Sequence, residues 1–216
     1  MKIKSKTILI PLFVVVFILV GIIVKPFISR AGDTGLLSPT ATGEDYNQWT
    51  SPTSAFSSNE TPAIEITFNQ RQDYYNFSFS IPVGATIDGI EVRAEAKDVD
   101  CTNCIMGVEL SWDGGSSYTT AGYDTGELTT SYVIYTLGGA TDQWDERTWV
   151  DTEFSNANFR LRVSAFSLNG GEFPAIHLDH VQAKVYYTEG GSSGSSKTED
   201  VKIRGGVKVR GGVEFR

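Results

Sequence analysis

Few residues in this 216-residue chain have types and spacings that suggest chemistry. Cys101 and Cys104 are its two cysteines, in the order C-T-N-C between two strand-like segments. Outside the cytoplasm such a pair is expected to form a disulfide that closes a hairpin tip. A thioredoxin-like role would need a helix N-terminus to lower the thiol pKa, and the sequence predicts none there. A zinc set of Cys101, Cys104, His177 and His180 meets a geometric objection. Residues three apart on a strand face opposite ways unless a bulge reorients one. Asp98, Asp100 and Glu109 stand at positions 1, 3 and 12 of a calcium-loop pattern, but Asn103 occupies the place of its turn glycine. A structural calcium site at Asp98 and Asp100 is the single metal expectation, set against solvated loop acids. No other cofactor is expected.

Tryptophans offer flat faces on which sugars stack. Trp112 continues the inward alternation of its strand and reads as core. Trp144 lies among Asp142, Asp145, Glu146 and Arg147, which mark an exposed loop, so Trp144 and Trp149 are the candidate ligand-binding residues. The competing role for Trp144 is a buried anchor beneath that loop. For catalysis, His177 and His180 share one segment beside Asp179, and the Gly-x-Ser-x-Gly pattern of a serine elbow is absent. The expectation is a protein that is not an enzyme.

The elements that would position these residues are strands. Period-two alternation runs through Ile64–Phe68, Tyr75–Ile81, Ile90–Lys97, Val108–Trp112, Ser131–Leu137 and Phe159–Ala165. In the third of these, Ile90, Val92, Ala94 and Ala96 point one way, and Glu91, Arg93, Glu95 and Lys97 the other. Along Ala175–Tyr187 the parity changes: Ile176 and Leu178 share one face, whereas Val181, Ala183, Val185 and Tyr187 fall on the other. An extra residue near Asp179–His180, a β-bulge, would bury both sets. Turn chemistry at Pro82-Val83-Gly84, Asp113-Gly114-Gly115, Gly138-Gly139 and Asn169-Gly170-Gly171 separates the strands. The fold class is therefore all-β, an antiparallel two-sheet sandwich of jelly-roll or Ig-like topology.

Charge and hydropathy divide the rest. Ile8–Val24 is uncharged and almost wholly apolar, follows Lys2, Lys4 and Lys6, and as a helix would cover about 25 Å, close to a bilayer's hydrocarbon thickness. Residues 1–30 are thus expected as a signal anchor, single-pass with the N-terminus cytoplasmic and the remainder outside. Cleavage after Ala31, with Ser29 and Ala31 as small residues, is the alternative and would give a secreted protein. Residues 31–62 read as a tether with an edge element, 63–188 as the sandwich, 189–200 as a Gly/Ser linker and 201–216 as a basic tail. Residues 31–196 hold 7 basic and 23 acidic side chains, a net −16, which disfavours nucleic acid as a partner.

The tail repeats every six residues, as V-K-I-R-G-G, V-K-V-R-G-G and V-E-F-R. Each unit is a short amphipathic strand, too small to form a core alone. Lys202, Arg204, Lys208 and Arg210 are its partner-binding candidates, toward another surface protein or copies of the chain itself by strand addition, or, as a disordered basic tail, toward acidic surface polymer or the acidic domain of this chain.

Five segments, "SPTATGEDYNQWTSPTSAF", "YYNFSFSIPVGATIDGIEVRAEAKD", "VELSWDGGSSYT", "YTLGGATDQWDERTWVDTEFSNANFRLRVSA" and "LDHVQAKVYYTE", resemble β-sandwich modules of bacterial surface proteins and phage structural proteins. The resemblance spans roughly residues 38–188 and implies a non-enzymatic exterior module without assigning site residues. The functional expectation is a membrane-tethered surface interaction or structural protein. A carbohydrate-binding module directed at surface polysaccharide is the alternative.

Overall fold

In the computed structural model, residues 29–67, 69–120, 123–144, 147–167 and 175–190 are described. The expected anchor over 1–30, most of the Gly/Ser linker and the tail 201–216 lie outside them, apart from the first linker residues and the last two anchor residues. Among the described residues no helix is long and apolar enough to cross a membrane.

Among the described residues ten strands form two antiparallel sheets. Sheet I runs β1 (Arg30–Asp33), β10 (Ile176–Glu189), β5 (Thr86–Asp98), β8 (Val133–Gly138), with β3 (Ala63–Glu65) also paired to β10. Sheet II runs β2 (Ala41–Asn47), β4 (Arg71–Tyr75), β9 (Arg160–Ser167), β6 (Cys104–Ser111), β7 (Tyr123–Asp124). Nearly every connection passes from one sheet to the other, so the inner faces are built from residues far apart in sequence. Ile90, Val92, Ala94 and Ala96 of β5 face Met106, Val108 and Leu110 of β6 and Leu161, Val163 and Ala165 of β9, all buried. Alternation is sufficient here because each strand has one core face and one solvent face.

The parity change in β10 is a bulge between Leu178 and His180, as the sequence predicts. Asp179 is the extra residue. Its carboxylate is buried and accepts the Asn59 amide at 3.0 Å. The insertion brings His177 and His180 to the outer face of sheet I, opposite Lys97 and Glu95. Ser38 Oγ and His180 Nε2 lie 2.8 Å apart, tying the incoming chain to β10.

Two expectations need correction. Residues 31–62 are more than a tether with an edge element: β2 is an edge strand paired with β4, but β1 also pairs Arg30–Asp33 with Tyr186–Glu189, and Trp49 and Ala55 enter the core. Gly, Ser, Thr and Pro conceal these strands because backbone pairing, not side-chain burial, holds them. The expected strand over Tyr75–Ile81 instead ends at Tyr75, because Asn76 and Ser78 adopt left-handed backbone angles (φ 60° and 58°). Consequently Gln72 and Tyr74 point inward and Tyr75 outward, whereas Phe77 and Phe79 reach the core from an irregular segment and stack at 5.4 Å.

Candidate functional site

Trp144, read from its charged neighbours as the ligand-binding ring, is completely buried, and Trp149 is 3% exposed. The backbone at Trp144 turns left-handed (φ 47°) and carries the ring inward. There Nε1 donates to the Ile90 carbonyl at 2.9 Å and the ring lies 4.2 Å from that of Tyr123. Asp142 holds this turn by accepting the Trp144 amide at 2.9 Å and the Tyr123 hydroxyl at 2.5 Å. Trp149 donates Nε1 to the Gln143 carbonyl at 2.8 Å and packs on Phe154 and Phe159. Neither ring presents a face on which a sugar could stack; both are anchors.

Trp112 has the reverse history. Expected in the core, it is only half-buried, because β6 ends at Ser111 and the chain turns away. Its ring meets Trp149 edge-on at 6.1 Å, and the Arg147 guanidinium lies 3.8 Å above it. Arg147 is fixed by an ion pair with Glu153, which also accepts the Val150 amide at 2.9 Å. Trp112, Arg147, Tyr118, Thr119 and Thr120 line a cleft of about 210 Å³ at the end of sheet II.

Tyr118 joins this cleft to the outer face of the sheet. Arg162, pointing outward from β9, is sandwiched between the rings of Tyr118 (3.5 Å) and Tyr46 (4.4 Å) and grips Asp73 through two bonds of 2.7 and 2.9 Å. The Tyr118 hydroxyl donates to the same carboxylate at 3.1 Å. Burial disfavours the Arg162 cation, but Asp73 outweighs it and raises the pKa further, so this charge is fixed. Burial, with the Asp73 charge, likewise holds the Tyr118 hydroxyl protonated. Two residues earlier on β9, Arg160 lies 4.3 Å from the Tyr75 ring and bonds Glu44 at 2.9 Å.

The turn after Trp112 is tightly specified. Ser111 Oγ accepts the Gly115 amide at 2.9 Å, and Asp113 accepts that of Ser117 at 2.8 Å. Gly115 has φ +98°, and a Cβ there would lie 1.9 Å from Asp45 Oδ2. The positive φ is what requires glycine; the Asp45 carboxylate ends a half-exposed side chain that could swing aside. The sequence offered one signal for this site: an aromatic at the end of a strand, immediately before an Asp-Gly-Gly turn.

The remaining expected residues lie elsewhere. Cys101 and Cys104 are disulfide-bonded with Cα atoms 5.8 Å apart, which removes both from any zinc set. Asp98 is buried at the end of β5, not solvated; burial raises its carboxyl pKa, and Glu127 and Asp100 add to the effect. Asp100 is exposed. Among the described residues no three His, Cys, Asp or Glu side chains gather as a metal-ligating group.

No family model matches the sequence, and no curated protein matches it. Among solved structures the chain is similar to a xylan-binding module CBM15, with 10% identity and a TM-score of 0.35, covering 75% of this chain and 97% of that one. A likeness at that level assigns neither ligand nor residues here.

Proposed function

We propose that this chain is a non-enzymatic binding module displayed outside the cytoplasm, and that its ligand is a glycan of a surface polysaccharide. The cleft formed by Trp112, Tyr118, Thr119, Thr120 and Arg147 carries the reading. Pyranose rings have apolar C–H faces and hydroxyl edges. A site for them therefore needs an aromatic face with hydroxyl and guanidinium groups held rigidly around it. The cleft brings those types together, with Arg147 over one face of the Trp112 ring so that a sugar has the other face and the edges to meet. The Tyr46–Arg162–Tyr118 stack continues them along sheet II. Strand order supports a jelly-roll topology: with β1 and β3 taken as one position along β10, and β2 as an added edge strand outside β4, the order is 1-8-3-6 against 2-7-4-5. Carboxylates and guanidinium groups on the outer face largely neutralise each other, which suits a neutral or weakly charged polymer.

Electrophoresis through gels containing soluble neutral and acidic polysaccharides tests this directly. The protein should be retarded by at least one polymer, and Trp112→Ala should weaken the affinity read from that retardation about fivefold, since a stacked ring contributes on the order of 1 kcal/mol. Unchanged retardation of a folded Trp112→Ala protein would move the site elsewhere.

A further inference from the structure

Strand β8 closes sheet I on one side, and its outer edge is unpaired among the described residues: the strand pairs with β5 only, and no described backbone group bonds its other side. Soluble domains blunt such edges with charges, proline or bulges. The run Val133-Ile134-Tyr135-Thr136-Leu137 has none of these. Val133 and Tyr135 pair with Ala96 and Ala94, so they point toward the core side, yet Val133 is 42% exposed, with no described strand beyond it. Ile134, on the outer face beside Glu95, is 56% exposed.

We propose that the chain's own C-terminal repeat, residues 201–216, pairs antiparallel with this edge of β8 and extends sheet I. Its units match the vacancy in pattern. In V-K-I-R the two apolar side chains would cover Val133 and Tyr135 on the core side. The two basic ones would lie on the outer face, toward Glu91 and Glu95 of β5. Over 201–216 there are five basic residues and one acidic, against the acidic domain.

Reach and direction agree. β10 ends level with Thr86, and Gly138 is level with Glu91, five residues further along β5. Three strand spacings across and this offset along the sheet place the start of an added strand roughly 25 Å from Gly190. Residues 191–200 can span about 33 Å when extended and average about 17 Å as flexible coil. A tail leaving at that end, and passing over residues 139–144 and Val150, which border Thr86–Ile90, would run antiparallel to β8. A linker this short holds its own tail at millimolar effective concentration, which favours it over a second copy. The inference is independent of the glycan reading.

Hydrogen exchange on the full-length chain in detergent tests it. Wild type is compared with a variant in which Val201, Ile203, Val207, Val209, Val213 and Phe215 become Ser. The outward amides of Val133–Leu137 should exchange about tenfold slower in wild type, equally at low and high protein concentration. Equal rates in the two proteins would overturn the proposal. Protection that grows with concentration would also overturn it, by assigning the edge to neighbouring copies. A second measurement needs no comparison of fold. Thr136→Cys combined with Lys202→Cys, Lys208→Cys or Glu214→Cys should yield an intrachain-linked monomer on oxidation; absence of a link, or linked dimers, overturns it.

Discussion

Glu65 is fully buried at the end of β3 with half its hydrogen-bonding capacity met: Oε1 accepts the Thr67 amide at 2.8 Å, and Oε2 has no partner among the described residues. Burial pushes its pKa up to about 8, with the Thr67 amide opposing. The folded state therefore holds a proton that the unfolded chain releases near pH 4.5. Its contribution to stability is fully present below that pH and is lost as pH rises toward 8. Glu65→Gln should remove this dependence, raising the melting temperature by roughly 5 °C at pH 8.5 and little at pH 4, as thermal denaturation at the two pH values would show. A larger gain at low pH would contradict the assignment. The tryptophans show a related point. Trp112 and Trp144 differ in exposure because of where the chain turns, not because of their immediate neighbours in sequence.

At the scale of elements, the β8-to-loop corner depends on Gly138. Its φ is +70°, and a Cβ there would lie 2.3 Å from the Ile90 carbonyl oxygen and 2.5 Å from Trp144 Nε1, which bond each other. Backbone on one side and a buried indole on the other leave no room for adjustment. Gly138→Ala should lower stability by about 3 kcal/mol in urea denaturation, through left-handed strain and loss of the Trp144 bond. A change below about 1 kcal/mol would mean the corner relaxes freely. The bulge in β10 is another such element. It lets one strand bury Leu178 and Val181 together, and it explains why a charged residue, Asp179, is found buried in the middle of a sheet.

Across the whole molecule, the described domain begins and ends at one place, with Arg30 opposite Glu189. Segments preceding and following it leave from the same end of sheet I, so an N-terminal anchor would hold the domain by the end that also releases the linker. Domain boundaries follow from this pairing. A chain of residues 30–190 should melt cooperatively, whereas one of residues 63–190 should not, because it lacks β1, β2 and the buried Trp49 and Ala55. Calorimetry on the two separates this boundary from one at residue 63. Cooperative melting of the shorter chain would restore 31–62 to the role of a tether.

Much of the fold was legible because alternation is a local property. Ile90–Lys97 and Phe159–Ala165 declare their core faces without reference to any partner, and the parity change near Asp179 can be reconciled with burial on one face only by a bulge. The sequence by itself thus determined an all-β, two-sheet domain with its bulge and its cysteine pair. Only the tertiary structure decided which aromatic is buried and which borders the cleft, since that depends on groups brought from afar: the Ile90 carbonyl and Tyr123 for Trp144, and Arg147 for Trp112. It alone revealed β1, and it fixed the extent and partner of the edge strand β2; their hold is backbone pairing to β10 and β4, and backbone groups carry no side-chain pattern to read.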